Sequence, residues 1–317
     1  MAGKRRSEAK TLAGAGDRRL LGVKTDPTEN QMKRLLILLY CIVLTTAVST
    51  VVSAGEIDDL KTASDVNQFL KKVNPKYADE MSIDTKETPK TEFGANTFHK
   101  VDLDGDGKTD LIVESNYLFV VTDKHDLVMV DRGGFTFYRY TLLKIEKNGN
   151  DTVLRIRPKK VEDFPAPASD KELSLVFKFG GFVEFNPKPD HMKIESIVFS
   201  TSGCFGSCPI FTLNLRADRR ATYQAKQYNP VDGKFSGTID AADYNRLEEL
   251  INYMGLGSLK TEYSVPWTDD QGSTLSISYD GTTKKISDYG MIGTYGLENL
   301  YDNLSKLRTS QKWAKVK

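Results

Sequence analysis

Histidine and cysteine are scarce in this 317-residue chain, three of each, and the shortage removes several chemistries at the outset. His99, His125 and His191 stand too far apart for a zinc-ligand spacing, and none begins a His-Glu-x-x-His helix. The Gly-rich phosphate loop and the Gly-x-Ser-x-Gly turn of a hydrolase are also missing. Charge of one sign is not in excess: 44 Lys and Arg face 43 Asp and Glu, a net of +1. That balance excludes nucleic acid as a partner class, because phosphate recognition rests on clustered positive charge. No repeat with a period of roughly 20–50 residues is visible. Asp269 and Asp270 after Trp267 read as a turn before a strand as readily as a carboxylate pair. No catalytic residue is assigned, and the chain is not evidently an enzyme.

Apolar material, by contrast, is ample. A hydrophobic fraction of 39% with 10% aromatics can fill cores, and the length suits two domains of roughly 100–200 residues. Residues 35–54, LLILLYCIVLTTAVSTVVSA, form an uncharged run of 20. Met32-Lys33-Arg34 precedes it, and Val52-Ser53-Ala54 puts small residues before Gly55. A basic head, an apolar middle and a small-residue exit follow the plan of a secretory signal peptide. The 31 residues upstream carry Lys4, Arg5, Arg6, Arg18 and Arg19 without apolar periodicity, so Met32 rather than Met1 is read as the start. Residues 1–54 are then a leader, with 32–54 the signal peptide. The alternative is an uncleaved single N-terminal anchor, since 20 apolar residues span a bilayer. Either way everything after Gly55 is exported, to the periplasm, the cell surface or beyond, and the membrane is touched only through an uncleaved leader. Cys41 lies mid-run and is not a lipid-attachment site.

Beyond the leader, Val66, Phe69, Leu70 and Val73 mark a short helix capped by Ser64 and ended before Pro75. A polar linker with Pro89 follows. Strands are predicted at 111–114, 117–122, 127–131, 135–145, 152–157 and 173–179, with turns at Gly133-Gly134 and Asn148-Gly149 and a Pro- and charge-rich loop at Pro158–Asp170. Pro187-Lys188-Pro189-Asp190 is the boundary between two expected domains. The first, 55–190, is mostly antiparallel β. The second, 191–317, has strands at 193–200, 210–217 and 221–228, and a helix capped by Asp240 and stopped by Gly255. A hairpin around Asp280-Gly281 and a last helix through Leu297, Leu300, Leu304 and Leu307 complete it. An antiparallel sheet with two segregated helices makes the fold class α+β.

The sharpest chemical signal is the loop Asp102-Leu103-Asp104-Gly105-Asp106-Gly107-Lys108-Thr109-Asp110. Carboxylates recur at positions 1, 3, 5 and 9 of it, and the two glycines permit a tight turn. A hard cation such as Ca²⁺ takes several oxygens at short range and would neutralise acids packed this closely. Asp102, Asp104, Asp106 and Asp110, with the main-chain carbonyl of Lys108, are the candidate ligands. An EF-hand needs Glu at position 12, where this chain has Val113. The loop resembles instead the calcium loop of FG-GAP and related exported repeats, D-x-D-x-D-G-x-x-D leading into a strand. Those families carry several such loops and this chain carries one. The competing reading is a solvated acidic turn.

Cys204 and Cys208 bracket a second motif, Cys-Phe-Gly-Ser-Cys-Pro, between two predicted strands. Outside the cytoplasm two close thiols tend to oxidise to a disulfide. With the turn 235–240, the helix 244–254 and Trp313, this stretch resembles an exported bacterial domain of unknown function, over about residues 192–315. The resemblance implies α+β and no activity. Cys-x-x-x-Cys-Pro also resembles the motif of thioredoxin-fold copper chaperones, in which two thiolates and a distant histidine, here His191, hold the metal. The favoured expectation is an exported envelope protein, a calcium-stabilised binding or structural module with an unidentified envelope or protein partner. The alternative is a thiol-redox or copper protein acting through Cys204 and Cys208.

Overall fold

In the computed structural model the residues described are 55–85, 96–132, 139–159 and 171–317. The leader with Cys41, the Pro89 linker, the Gly133-Gly134 turn, the strand start at 135–138 and the loop at 160–170 lie outside them. Among the described residues no helix is long and apolar enough to cross a membrane.

Helix α1 (Ala63–Val73) starts from Thr62, not from Ser64. Thr62 accepts from the Asp65 amide at 3.2 Å and the Asp65 carboxylate accepts from the Thr62 amide at 2.8 Å. This reciprocal pair needs an acid three residues after the cap, and Thr62 has that spacing. Val66, Phe69 and Leu70 are its buried face. A single turn, α2 (Ala78–Met81), follows.

The next four strands form an antiparallel meander: β1 (Thr97–Val101), β2 (Asp110–Glu114), β3 (Leu118–Val121) and β4 (Leu127–Met129). Every residue of β2 and β3 is buried, because both faces of this sheet are covered. Leu111, Val113, Phe119 and Val121 pack on α1 and α2, while Ile112 and Val120 face a second sheet. That sheet is another meander: β5 (Arg139–Asn148), β6 (Asp151–Lys159), β7 (Leu173–Lys178) and β8 (Gly181–Glu184). Its Leu154, Ile156, Leu175, Phe177 and Phe182 meet the first sheet, and its Val153, Val176 and Val183 point into a third core. Asp131 joins the two sheets, accepting from the Leu118 amide at 2.9 Å and the Tyr140 amide at 2.8 Å.

The remaining strands are β9 (Ile194–Thr201), β10 (Ile210–Arg216), β11 (Arg220–Gln227) and β12 (Gly233–Thr238), then β13 (Glu262–Ser264), β14 (Gly272–Tyr279), β15 (Thr282–Tyr289) and β16 (Ala314–Lys315). They form one eight-stranded sheet in the order β13-β15-β14-β9-β10-β11-β12-β16, antiparallel except where β13 runs parallel to β15. Period-two alternation puts Ile197, Phe199, Leu213, Leu215, Tyr223, Leu275 and Ile277 on one face. Helices α3 (Ala241–Tyr253) and α4 (Tyr295–Ser310) cover that face, and the ring of Tyr301 stacks on Phe199 at 5.3 Å. The hairpin turn predicted at Asp280-Gly281 is present, with both residues at positive φ. Asp240 precedes α3 as expected, but its side chain does not cap. Gln311, just past α4, takes over that end: its Oε1 accepts from the Asp240 amide at 2.9 Å and its Nε2 donates to Asp243 at 2.7 Å.

The described residues thus form one compact unit, stacked as α1/α2, first meander, second meander, α3/α4 and eight-stranded sheet. The architecture is mostly β with four helices among the described residues, consistent with α+β.

Helix α4 is the shared layer. Its first amides, Tyr295 and Gly296, donate to the two carboxylate oxygens of Glu184 at the end of β8, at 2.8 and 3.0 Å. A Cβ on Gly296 would lie 2.8 Å from that of Met254, so only glycine allows the helix start to approach this closely. Replacing Glu184 with Ala leaves two helix-start amides without these acceptors. A missing cap of this kind costs about 1–2 kcal/mol. Thermal melting of Glu184→Ala is expected to fall visibly and that of Glu184→Gln by less; equal melting of all three chains would show that Thr294, whose hydroxyl accepts from the Leu297 amide at 3.1 Å, holds this end alone.

Candidate functional site

The acidic loop links β1 to β2, and its own carboxylates shape it. Asp102 accepts from the Gly105 and Gly107 amides at 2.7 and 3.0 Å. Asp104 accepts from Asp106 at 3.1 Å, and Asp106 from Lys108 at 2.9 Å. Gly105 and Gly107 have φ of +79° and +84°, a region where a side chain is strained. The loop is also tied to the second meander, since Thr152 Oγ1 and Lys147 Nζ both donate to the Asp102 carbonyl. In this fold the carboxylates of Asp102, Asp104 and Asp106 come together, with one oxygen from each lying within 4.8 Å of the others.

Asp110 stands apart from that group. It is buried, and its two oxygens accept from the Leu103 amide at 2.8 Å and the Asp123 amide at 2.9 Å. Burial pushes its carboxyl up to about 6 against the pull of those two amides, and the charges of Asp104 and Asp123 add to the rise. Its place is the knot between the loop and the β3–β4 turn. The Lys108 ammonium, meanwhile, holds Asp123 Oδ2 at 2.6 Å. The donor set is all oxygen, and each carboxylate oxygen has a second lone pair beyond its amide bond. Three converging carboxylates of this kind fit a hard cation such as Ca²⁺.

Two residues of the neighbourhood were not legible as site residues. Asp123 and Lys124 lie in the β3–β4 turn, 13 and 14 residues beyond Asp110, and only the register of the meander brings them to the loop. A hydrophilic Asp-Lys-His-Asp turn carries no local mark that sets it apart. Asp104 and Lys124 also line an open cleft of about 1430 Å³, whose far lining includes Glu248 and Asn252 of α3 and Glu298 of α4. Burial raises the Glu248 carboxyl above its ordinary range.

The second motif is a disulfide. Cys204 and Cys208 are bonded, with Cα atoms 5.7 Å apart. The loop is fastened from both sides: the Phe205 amide donates to the Asp269 carbonyl at 2.9 Å, and Gln271 Nε2 donates to the carbonyls of Ser202 and Pro209. Thr201 Oγ1 donates to Pro209 as well, at 2.7 Å. Phe205 at the tip is 88% exposed, the most exposed large apolar side chain among the described residues. Asp269 and Asp270 form a turn; Asp269 has φ of +76° and Asp270 accepts from Trp267 Nε1.

A strand, β10, follows Pro209 directly, where a thioredoxin-type motif would need a helix. His191 precedes β9 and Cys204 follows it, so about 23 Å of strand at ~3.3 Å per residue separates them. The histidine is not brought to the sulfurs.

Residues 195–308 match the model of a domain of unknown function, DUF6438. The match runs from β9 into α4 and contains the disulfide loop. No curated protein and no solved structure matches the chain significantly.

A clip closing so short a loop stabilises by about 2 kcal/mol, the low end of the loop-entropy range. Cys204→Ser with Cys208→Ser is expected to melt earlier by a matching amount, and the reduced wild type to take up no Cu(I). Tight Cu(I) uptake by the reduced chain would make the pair a metal site instead.

Proposed function

We propose that this chain is an exported, calcium-stabilised binding module. The observation that carries the reading is the convergence of Asp102, Asp104 and Asp106 within 4.8 Å in a loop shaped by its own carboxylates. Like charges this close repel, and a divalent cation removes the repulsion while adding short ligand contacts. The loop joins β1 to β2 and is bonded to Thr152 of the second meander, so cation binding would tighten the contact between two layers. The D-x-D-x-D-G-x-x-D spacing and its resemblance to FG-GAP-type loops support the same ion, with the Lys108 carbonyl as a further expected contributor, while Asp110 ties the loop to the β3–β4 turn.

Export is supported by the leader pattern of residues 32–54 and by the Cys204–Cys208 bond, which suits an oxidising compartment. Binding is assigned to the half that follows residue 190, through the disulfide loop. A phenyl ring held out in water on a fastened, covalently closed loop would serve as a preordered anchor for a partner's pocket. Tyr228, 58% exposed, leaves β11 at the same end of the sheet, because Gln227 pairs with Ile210. The partner class is an envelope component or another exported protein.

Two measurements test the reading. Calcium bound only by the folded chain stabilises it by about 2.7 kcal/mol at a hundredfold excess over Kd. The melting temperature is therefore expected to rise in the wild type as calcium is raised to about 10 mM, a hundredfold excess over a Kd of about 10⁻⁴ M, and to stay fixed in Asp104→Ala; a wild type indifferent to calcium sinks the site. Terminal sequencing of the exported protein is expected to begin at Gly55. A chain beginning at Met1 or Met32 and released only by detergent would replace the cleaved leader with an anchor.

A further inference from the structure

Beside the acidic loop, one ammonium group faces three carboxylates. Lys124 Nζ lies 3.6 Å from Asp104 Oδ2, 3.3 Å from Asp106 Oδ2 and 3.7 Å from Asp123 Oδ1. It donates a hydrogen bond to Asp106 Oδ2, but at 3.3 Å rather than the about 2.7–2.9 Å typical of a charge-assisted contact, and reaches Asp104 and Asp123 only as an ion pair. It sits between them, as a shared cation would. Asp123 is the member that points most directly to a ligand. Its side chain is 9% exposed, its Oδ2 is held by Lys108, and its Oδ1 is buried without a hydrogen-bond partner. A buried carboxylate oxygen left in that state costs stability unless a charge reaches it.

Lys124 is poorly suited to be a permanent partner. Its side chain is 58% exposed, and a lysine ammonium is a strongly hydrated point charge on a flexible stem. More than half of the side chain is already in water, so little contact is lost when it swings out. The turn that presents it stays in place regardless, because the Asp123 amide is bonded to Asp110 Oδ1 and the Thr122 amide to the Asp126 carbonyl.

We infer that Asp123 is a further ligand of the cation site and that Lys124 is its built-in competitor. In the metal-free chain the ammonium bridges the acids; Ca²⁺ displaces it, is held by the converged Asp102, Asp104 and Asp106, and draws in Asp123 Oδ1 from the neighbouring turn. The inference rests on the calcium reading of the loop and adds two residues from a different turn to it. It also sets the working range. Every calcium ion bound must expel a positive charge already in place, which weakens the affinity toward the range of about 10⁻⁴–10⁻³ M used by extracellular calcium modules.

Calorimetric titration of the full chain with CaCl₂ tests it, beside melting in EGTA. Lys124→Met keeps the apolar stem and removes the competitor. It is expected to bind calcium about five- to tenfold more tightly than the wild type, the size of one surface charge contact. In EGTA it is expected to melt earlier than the wild type, and calcium is expected to reverse the difference. Asp123→Asn, which keeps the shape, is expected to bind about five- to tenfold more weakly. Calcium affinities equal in wild type, Lys124→Met and Asp123→Asn would overturn the inference and leave the calcium loop standing. No calcium uptake by any chain, Lys124→Met included, would overturn the calcium reading itself.

Discussion

The start of α4 on the carboxylate of Glu184 is the contact on which the layers depend. A helix leaves its first amides without internal acceptors, and here a residue from the end of β8 supplies two of them. The same helix buries Leu297, Leu300, Leu304 and Leu307 in the core of the eight-stranded sheet. One element is therefore bonded to the second meander at its beginning and packed on the large sheet along its length. The first meander reaches it as well: Arg132 donates to Glu298 at 3.0 Å and to the Ile292 carbonyl, and Tyr295 donates to the Val130 carbonyl at 2.6 Å. Asn299 and Asn303 complete the seam by donating to carbonyls of the β7–β8 turn. Loosening α4 would expose polar groups on three sides at once.

This arrangement explains which parts of the fold could be read from the chain. Strands that alternate on one buried face, such as β10 and β11, announce themselves by period two. The runs of β2 and β3 announce themselves by continuous apolarity, because both of their faces are covered. Five strands escaped notice, each for a physical reason: β1 is an edge strand of its meander and only partly buried. β8 is a four-residue piece entered through Gly180-Gly181, β12 is two-thirds Gly, Ser and Thr and stands where a turn was expected at 235–240, and β13 and β16 are edge strands of three and two residues. Such segments are strands because a neighbour supplies the ladder, not because their own sequence prefers it. The caps divide the same way. Gly255 ends α3 in the left-handed region as its position suggested, whereas the Gln311 bonds at the start of α3 come from a residue 71 positions away.

The candidate site was legible in its local part and silent in its long-range part. A spacing of acids along nine residues is a local signal, and Asp102, Asp104 and Asp106 converge as that spacing implies. Asp110 has the right chemistry but a different use, since its oxygens are engaged by the amides of Leu103 and Asp123. Spacing alone cannot separate an acid that faces a cation from one that ties a loop to the next turn. Asp123 and Lys124 could be found only after the register of β2 against β3 was known. The copper alternative fails to gather for the same kind of reason: His191 is 13 residues from Cys204, yet a whole strand stands between them.

Two devices, an acidic loop and a disulfide, each fasten a connection between adjacent antiparallel strands, and they differ in what they allow afterwards. The disulfide is covalent and spans only five residues, so it holds the Phe205 tip in place whether or not the rest of the fold relaxes. The acidic loop is held by ions and amides, and its state depends on which cation sits among the carboxylates. Under the reading proposed here, the ammonium of Lys124 keeps the loop closed in the absence of calcium, so that losing the metal loosens it without setting three bare charges against one another. Its strength would then vary with calcium while the exposed tip beyond β9 would not. A binding surface placed on the covalent device, with the reversible one confined to the layers behind it, keeps recognition independent of the ion and lets the ion act on stability alone.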